Sequence, residues 1–207
     1  MNKKELKKAF GEGLITEEQF KEELFKLETL KSEKRKAKKL PVALTEEEFY
    51  NLIKASKKKQ HKFAFLLGFG AGLRIGEILT LKPEDFNLKE RIILVHGKGN
   101  KDRMVPLPKG FKPEFLKLLP FTYKNYQSGA RSLEISFKKA AIKSGLLQTK
   151  PNAHFHSLRH SFGTNASNKG IPIHHIRTLM GHTNISTTNV YLEMNPKEAI
   201  KSYEELF

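Results

Sequence analysis

The sequence predicts a mostly helical protein of the α+β class with one small antiparallel β-sheet. Apolar residues recur at helical spacing over most of the 207 residues. Capping-box patterns begin at Thr16 and at Thr45, and each marks the start of a helix. A single pair of β-rich segments surrounds the turn Gly97-Lys98-Gly99-Asn100, which is typical of a hairpin.

The pattern of residues 1–40 predicts two helices and a basic linker. The helical pattern is interrupted near Gly11, and the second helix is long, amphipathic and continuous with the basic stretch Lys31–Lys39. Its apolar stripe needs burial, either in a coiled-coil or intersubunit contact or by folding back on its own domain, and the sequence favours neither. Pro41 ends the segment, and we expect residues 41–207 to form the main domain.

The sequence of the main domain predicts helices before and after the hairpin. The expected helices are 45–55, Phe63–Ala71, Leu73–Leu81, Ser128–Ser144, Ser157–Lys169, Pro172–Leu179 and Lys197–Leu206. The expected strands are Arg91–His96 and Arg103–Leu107. The apolar run Phe63–Ala71 is too short for a membrane span and indicates a buried helix.

Charge is the most informative total. The chain has 38 Lys and Arg against 22 Asp and Glu, a net charge of +16 and a pI of about 9.9. Such an excess favours a polyanion partner, above all nucleic acid, whereas heat adaptation would raise both signs together. The absence of cysteine excludes disulfides, thiolate metal sites and cysteine nucleophiles. Without a membrane-length apolar run or a signal-peptide pattern, the expected location is the cytoplasm, in association with the nucleoid.

One group of residues near the C-terminus, with a matching arginine upstream, indicates phosphate chemistry. The group comprises Arg74, His156, Arg159, His182 and Tyr191. His156 and Arg159 are one helical turn apart and therefore share a face. Two arginines and two histidines suit an oxyanion such as a phosphodiester, and a phenol can act as the nucleophile that attacks it.

These residues stand in blocks that resemble the catalytic domain of the tyrosine site-specific recombinases, the phage-integrase and Xer group. The blocks are Gly-Leu-Arg-Ile-Gly-Glu (72–77), Gly-Lys-Gly-Asn-Lys-Asp-Arg (97–103), His-Ser-Leu-Arg-His (156–160), Met-Gly-His (180–182) and Tyr191. They follow the family's order, and the resemblance covers residues 44–206. It implies the tyrosine recombinase catalytic-domain fold and an enzyme that cleaves and rejoins DNA strands in site-specific recombination and integration.

The resemblance implies six catalytic residues: Arg74, Lys98, His156, Arg159, His182 and Tyr191. Tyr191 would attack the scissile phosphate and form a 3′-phosphotyrosyl intermediate. The two arginines and His182 would bind the phosphate oxygens, and His156 would assist proton transfer from the tyrosine. Lys98, at the tip of the hairpin, would protonate the leaving 5′ oxygen.

Supporting roles follow for four further residues. Glu77 lies on the same helical face as Arg74 and is expected to orient it. His160 is expected to be a buried, hydrogen-bonded structural histidine. Lys101 and Arg103 would contact backbone phosphates of the DNA.

The resemblance also implies partners. We expect double-stranded DNA as the substrate, a homotetramer that assembles on two duplexes, and no metal or other cofactor. The segment Pro196–Phe207 would dock on a neighbouring protomer.

Three other functions compete with recombination. A type IB topoisomerase-like enzyme would share the nucleophile and the arginines but only nick, swivel and reseal. A non-catalytic DNA-binding protein would bind without a covalent adduct. A metal-dependent nuclease could use His156 and His160 at i, i+4, although the glutamate of the HExxH pattern is missing. Tyr203 is the second candidate nucleophile.

The chain departs from the family in one respect. Members typically carry a helical core-binding domain of about a hundred residues before the catalytic domain, a size within ordinary domain anatomy. Here only residues 1–40 come first, and their pattern does not resemble such a domain. A fragment, a minimal recombinase and a catalytic half left by gene disruption all fit this departure.

Overall fold

The computed structural model describes residues 3–33, 41–97, 102–181, 200–201 and 203–205. The chain divides into two compact units, Met1–Leu40 and Pro41–Phe207. None of the helices in these described ranges is long and apolar enough to cross a membrane.

The first unit consists of two helices that contact each other, α1 (Lys3–Gly11) and α2 (Glu17–Glu33). The predicted capping box precedes α2. The amide of Gln19 donates to Thr16 Oγ1, and the Gln19 side chain accepts from the Thr16 amide. The rings of Phe10 and Phe20 stack with their centroids 4.7 Å apart, which joins the two helices.

The second unit is mostly helical, which confirms the predicted fold class. Its helices are α3 (Glu46–Ala55), α4 (Lys59–Gly70), α5 (Ile75–Thr80), α6 (Tyr126–Lys143), α7 (Leu146–Thr149), α8 (Phe155–Asn168) and α9 (Ile173–Met180). Short 3₁₀ turns cover Pro83–Asp85 and Pro113–Leu118. The predicted capping box of α3 is present, because Thr45 and Glu48 exchange side-chain and backbone hydrogen bonds. The four-residue helix α7 was not predicted.

The sheet has three antiparallel strands, β1 (Phe86–Asn87), β2 (Ile92–Val95) and β3 (Arg103–Pro106), in sequence order. Strands β2 and β3 form the predicted hairpin, with Val95 opposite Arg103. Strand β1 was not predicted, because two residues are too few to show a period-2 pattern. Lys98 and Lys101 lie outside the described residues.

The core is built around α4, which is buried along most of its length and packs along α8. The two helices come close at Gly68, where a Cβ atom would lie 3.2 Å from the Cβ of Leu158. Phe65 adds edge-to-face contacts with Phe137 and Phe155. This packing sets the turn after α4 against α8, where the candidate site begins.

The described residues near the C-terminus pack on the rest of the second unit. Ile200 and Tyr203 are buried in a cluster with Phe162 and residues of α9. The Tyr203 hydroxyl donates to the carbonyl oxygen of Gly70 at 2.8 Å. Docking of Pro196–Phe207 on a neighbouring protomer stays a prediction, since the described part of that segment contacts its own domain.

Candidate functional site

Arg74 and Glu77 are placed by the sharp turn between α4 and α5. Gly72 adopts a positive φ of 66°, and a Cβ there would lie 2.6 Å from the ring of Phe162, so glycine is required. The Glu77 carboxylate accepts from the Arg74 amide at 2.8 Å and from Arg74 Nη1 at 2.9 Å. Glu77 therefore both caps α5 and orients the Arg74 guanidinium, in the arrangement expected from their i, i+3 spacing.

Arg159 reaches the same place from α8. Its side chain is only 2% exposed, and Nη1 donates to the carbonyl oxygen of Gly72 at 2.5 Å. Nη2 donates to the carbonyl oxygen of Met180, at the end of α9. Arg159 Nη1 also lies 4.0 Å from the Glu77 carboxylate. A charge this deeply buried needs such partners, since desolvation without them is very costly.

A third arginine, Arg103, enters the site from β3. Its Nη1 and Nη2 donate to the two carboxylate oxygens of Glu77 at 2.8 and 2.9 Å, which is a bidentate pair. Its Nε donates to the carbonyl oxygen of Leu179 at 2.8 Å. The sequence predicted instead that Arg103 contacts backbone phosphates of the DNA. That contact stays a prediction, and in this structure the guanidinium is bonded to Glu77 and Leu179.

Three arginines around one carboxylate leave a local excess of two positive charges. Burial acts to raise the pKa of Glu77, but the hydrogen bonds and charge of Arg103, together with the hydrogen bonds of Arg74, lower it to about 2. Burial and the charge of Arg74 lower the pKa of Arg159 to about 9, so this guanidinium is still charged at neutral pH. The cluster therefore carries a net positive charge at pH 7, which suits the binding of an anion.

His156 faces the cavity that this cluster borders. Desolvation and the nearby His160 and Arg159 lower the pKa of His156 to about 4, so its ring is neutral at physiological pH. The rings of His156 and His160 meet edge to face at a centroid distance of 4.8 Å. His160 is half-buried rather than fully buried, and it packs against His156.

The cavity has a volume of about 1020 Å³ and lies between α5, the hairpin and the end of α9. Its lining includes Arg74, Glu77, Arg103 and His156, together with residues for which the sequence predicted no role: Gly76, Thr80, His96, Asp102, Tyr126 and Thr178. Within the described part of the chain, no group of three His, Cys, Asp or Glu residues is placed to hold a metal ion.

His96 and Asp102 mark the two ends of the hairpin turn. His96 Nδ1 lies 2.8 Å from Asp102 Oδ2, and His96 Nε2 lies 3.3 Å from Asp85 Oδ1. The hydrogen bond to Asp102 raises the pKa of His96. Val95 pairs with Arg103, so His96 and Asp102, the next residues towards the turn, face each other. The contact between His96 and Asp102 follows from the register of the hairpin.

Two of the predicted catalytic residues, His182 and Tyr191, lie outside the described residues, as Lys98 does. The structure does place the residue before His182. Gly181 ends α9 in a left-handed conformation (φ 62°), and its carbonyl oxygen accepts from Arg74 Nη2 at 3.3 Å. Gly181, the last described residue before His182, therefore lies beside Arg74.

The second candidate nucleophile, Tyr203, is unsuited to attack. Its side chain is buried, its hydroxyl donates to the Gly70 carbonyl, and burial raises its pKa. A phenol in that state is neither exposed to a substrate nor readily ionised.

Replacing Glu77 with Gln is expected to lower the free energy of unfolding by about 3 kcal/mol at pH 7. The shift of the Glu77 pKa from 4.5 to about 2 corresponds to roughly that stabilisation of the charged form. Because the folded pKa is lowered, the stabilisation is complete above pH 4.5 and disappears as the pH falls towards 2. Urea unfolding of both proteins at pH 7, 4 and 3 measures the effect.

Glu204→Gln is the matched control. Glu204 pairs with Arg91 at 3.9 Å, but both side chains are largely exposed, so its loss should change stability by less than about 1 kcal/mol. A difference between wild type and Glu77→Gln that stays constant from pH 7 to 3 would contradict the assignment of the stabilisation to the Glu77 charge.

Comparison with known proteins identifies similar sequences. Residues 43–198 match the family model described as the Phage integrase family. The tyrosine recombinase XerA of Pyrococcus horikoshii is 32% identical over 182 residues, which cover 81% of this chain and 62% of that protein. A tyrosine recombinase of Thermosipho africanus is 34% identical over 178 residues, which cover 82% and 63%. The chain thus spans less than two thirds of the length of these relatives.

Solved structures are similar in fold. The integrase of mycobacterium phage Brujita matches with a TM-score of 0.67 and 25% identity over 84% of this chain and 60% of that chain. A XerA recombinase crystal structure matches with a TM-score of 0.55 and 27% identity, over 80% and 65%. These matches confirm the predicted catalytic-domain fold.

Proposed function

Because the chain belongs to the phage integrase family, we propose that it cleaves and rejoins DNA strands through a 3′-phosphotyrosyl intermediate in site-specific recombination. The observation that carries this proposal is that Arg159, from α8, meets the Arg74–Glu77 pair at the start of α5, beside a cavity lined by Arg74, Glu77 and the neutral His156. Both arginines are held by fixed partners, which suits a preorganised oxyanion site.

The proposed cleavage step exchanges one phosphoester bond for another. The Tyr191 oxygen attacks phosphorus in line, the bond from phosphorus to the 5′ oxygen breaks, and a 3′-phosphotyrosyl ester forms. The phenol proton passes to a base, for which we propose His156, and the 5′ oxygen takes a proton from Lys98 and leaves as a hydroxyl. Because the number of phosphoester bonds is conserved, a 5′ hydroxyl from another strand can reverse the step and rejoin the DNA.

The charge of the site supports this chemistry. A phosphodiester carries one negative charge, and the pentacovalent transition state carries more on its equatorial oxygens. Arg74 and Arg159 supply donors for those oxygens, and the remaining donor in the proposal is His182. Fixed donors in a partly desolvated cavity stabilise that transition state more than they stabilise the substrate.

We propose double-stranded DNA as the partner and a homotetramer on two duplexes as the working assembly. The net charge of +16 supports a polyanion partner. The chain spans 62% of its relative from Pyrococcus horikoshii, so its assembly on DNA is part of the proposal. A protein that acts on chromosomal DNA would be found with the nucleoid.

Trapping of covalent protein–DNA adducts tests the proposal. Supercoiled DNA is incubated with the protein in EDTA, the reaction is stopped with SDS, and the DNA ends are analysed. We expect an adduct on the 3′ end and a free 5′ hydroxyl that polynucleotide kinase can label. Cleavage that needs a divalent cation, or an adduct on the 5′ end, would contradict the proposed chemistry.

The same samples separate recombination from its closest rival. Exchange of strands between two differently labelled duplexes is expected of a recombinase. Relaxation of supercoils without any exchange would assign the chain to topoisomerase-like activity instead.

A further inference from the structure

Arg103 is linked to three elements around the cavity. It begins β3, pairs with Glu77 of α5, and donates to the carbonyl oxygen of Leu179 in α9. It also packs against the end of α9, since a Cβ on Gly181 would lie 3.0 Å from Arg103 Cδ. No other arginine in the described ranges joins the hairpin to both helices by its side chain.

The Arg103 guanidinium is committed to these contacts. Its side chain is 10% exposed, and its Nε, Nη1 and Nη2 all donate to protein acceptors. To reach a DNA phosphate it would have to leave Glu77, whose side chain is also 10% exposed, with the loss of a bidentate ion pair. Arg103 is thus placed to act on the site through other residues.

Glu77 is the residue through which it would act. A carboxylate offers about four acceptor positions. In Glu77 two are taken by the amide and guanidinium of Arg74, and two by Arg103. Arg159 Nη1, 4.0 Å away, is left outside hydrogen-bond distance and bonds to Gly72 instead.

We propose that Arg103 is a positioning residue of the strand-cleavage site, which saturates Glu77 so that Arg74 and Arg159 keep their donors and charge for the scissile phosphate. The inference rests on the proposed function. Without Arg103, two acceptor positions of Glu77 open beside Arg159, and the local excess of positive charge falls from two to one. The carboxylate would then compete with the phosphate for both arginines.

This role predicts a stronger effect on chemistry than on DNA binding. The charge on the equatorial oxygens rises in the transition state, so a misplaced or neutralised arginine costs more there than in the bound substrate. Lysine cannot replace Arg103, because one ammonium cannot make the bidentate pair and also reach the Leu179 carbonyl.

The experiment measures single-turnover adduct formation by wild type, Arg103→Lys and Glu77→Gln, and by the double variant. Two substrates are used: a phosphodiester, and the same DNA with a methylphosphonate at the scissile position, which removes the negative charge of one non-bridging oxygen. Arg91→Lys is the matched control, since Arg91 is also paired with a glutamate but does not line the cavity. DNA affinity is measured in parallel.

On the phosphodiester we expect Arg103→Lys to form adduct about 10- to 100-fold more slowly than wild type, as is typical when a supporting partner is lost. Its DNA affinity should change less than about 3-fold, because the lost interaction is stronger in the transition state than in the bound substrate. On the methylphosphonate the rate difference should shrink, because less charge has to be stabilised. In the Glu77→Gln background, Arg103→Lys should cost little more, since the two residues act as a unit.

Two results would overturn the positioning role. One is an equal loss of rate on both substrates, which indicates a general structural defect. The other is additivity of Arg103→Lys and Glu77→Gln, which would show that Arg103 does not act through Glu77. Absence of any adduct from wild type on the phosphodiester would instead refute the proposed function, and with it this inference.

Discussion

Replacement of Tyr191 with Phe is expected to reduce formation of the covalent adduct at least about 10³-fold, to background. The change keeps the aromatic ring and removes the oxygen that would become the phosphotyrosyl ester, so no covalent intermediate can form at this position. Non-covalent DNA binding should be retained, because the charged groups that contact phosphate are untouched. Adduct trapping with SDS and a parallel binding measurement check both expectations.

The experiment also includes variants of other tyrosines, because Tyr126 lines the same cavity as Arg74 and His156. An adduct that persists in Tyr191→Phe and disappears in Tyr126→Phe would transfer the nucleophile to Tyr126 and contradict the proposal. Tyr50→Phe is the matched control, since Tyr50 is 66% exposed on α3 and does not line this cavity. It should form adduct at the wild-type rate.

Arg159→Lys is expected to slow adduct formation by about 10²- to 10³-fold, the usual cost of one transition-state donor. A lysine retains the charge but has no planar fork to bind the Gly72 and Met180 carbonyls and still present donors to a phosphate. The unfolding temperature should fall as well, because a buried acceptor then loses its donor. Single-turnover trapping and thermal unfolding measure the two effects.

Arg91→Lys serves again as the control for Arg159, since it makes the same substitution at a largely exposed ion pair. A rate for Arg159→Lys within about 3-fold of wild type would contradict the role of this arginine as a donor to the scissile phosphate, given the cost expected for a lost donor. A rate loss accompanied by the same loss of DNA affinity would place Arg159 in binding rather than in the chemical step.

Local features of the fold were predictable because each depends on residues close together in the sequence. The capping box at Thr45 needs only the glutamate three residues later, and the hairpin needs alternating residues around a glycine-rich turn. The Arg74–Glu77 pair follows from helical spacing. Strand β1 and helix α7 were missed because two and four residues are too short to show a period.

Within the candidate site, the sequence by itself determined the identity of the residues and the pairing of neighbours such as Arg74 and Glu77, because helical geometry sets which side chains share a face. Only the tertiary structure decided that Arg103 pairs with Glu77, which lies 26 positions earlier, and that Arg159 bonds to the turn at Gly72. Contacts of that separation depend on how α4 packs along α8 and how β3 meets α9. Packing of this kind is a property of the folded core, and no local pattern records it.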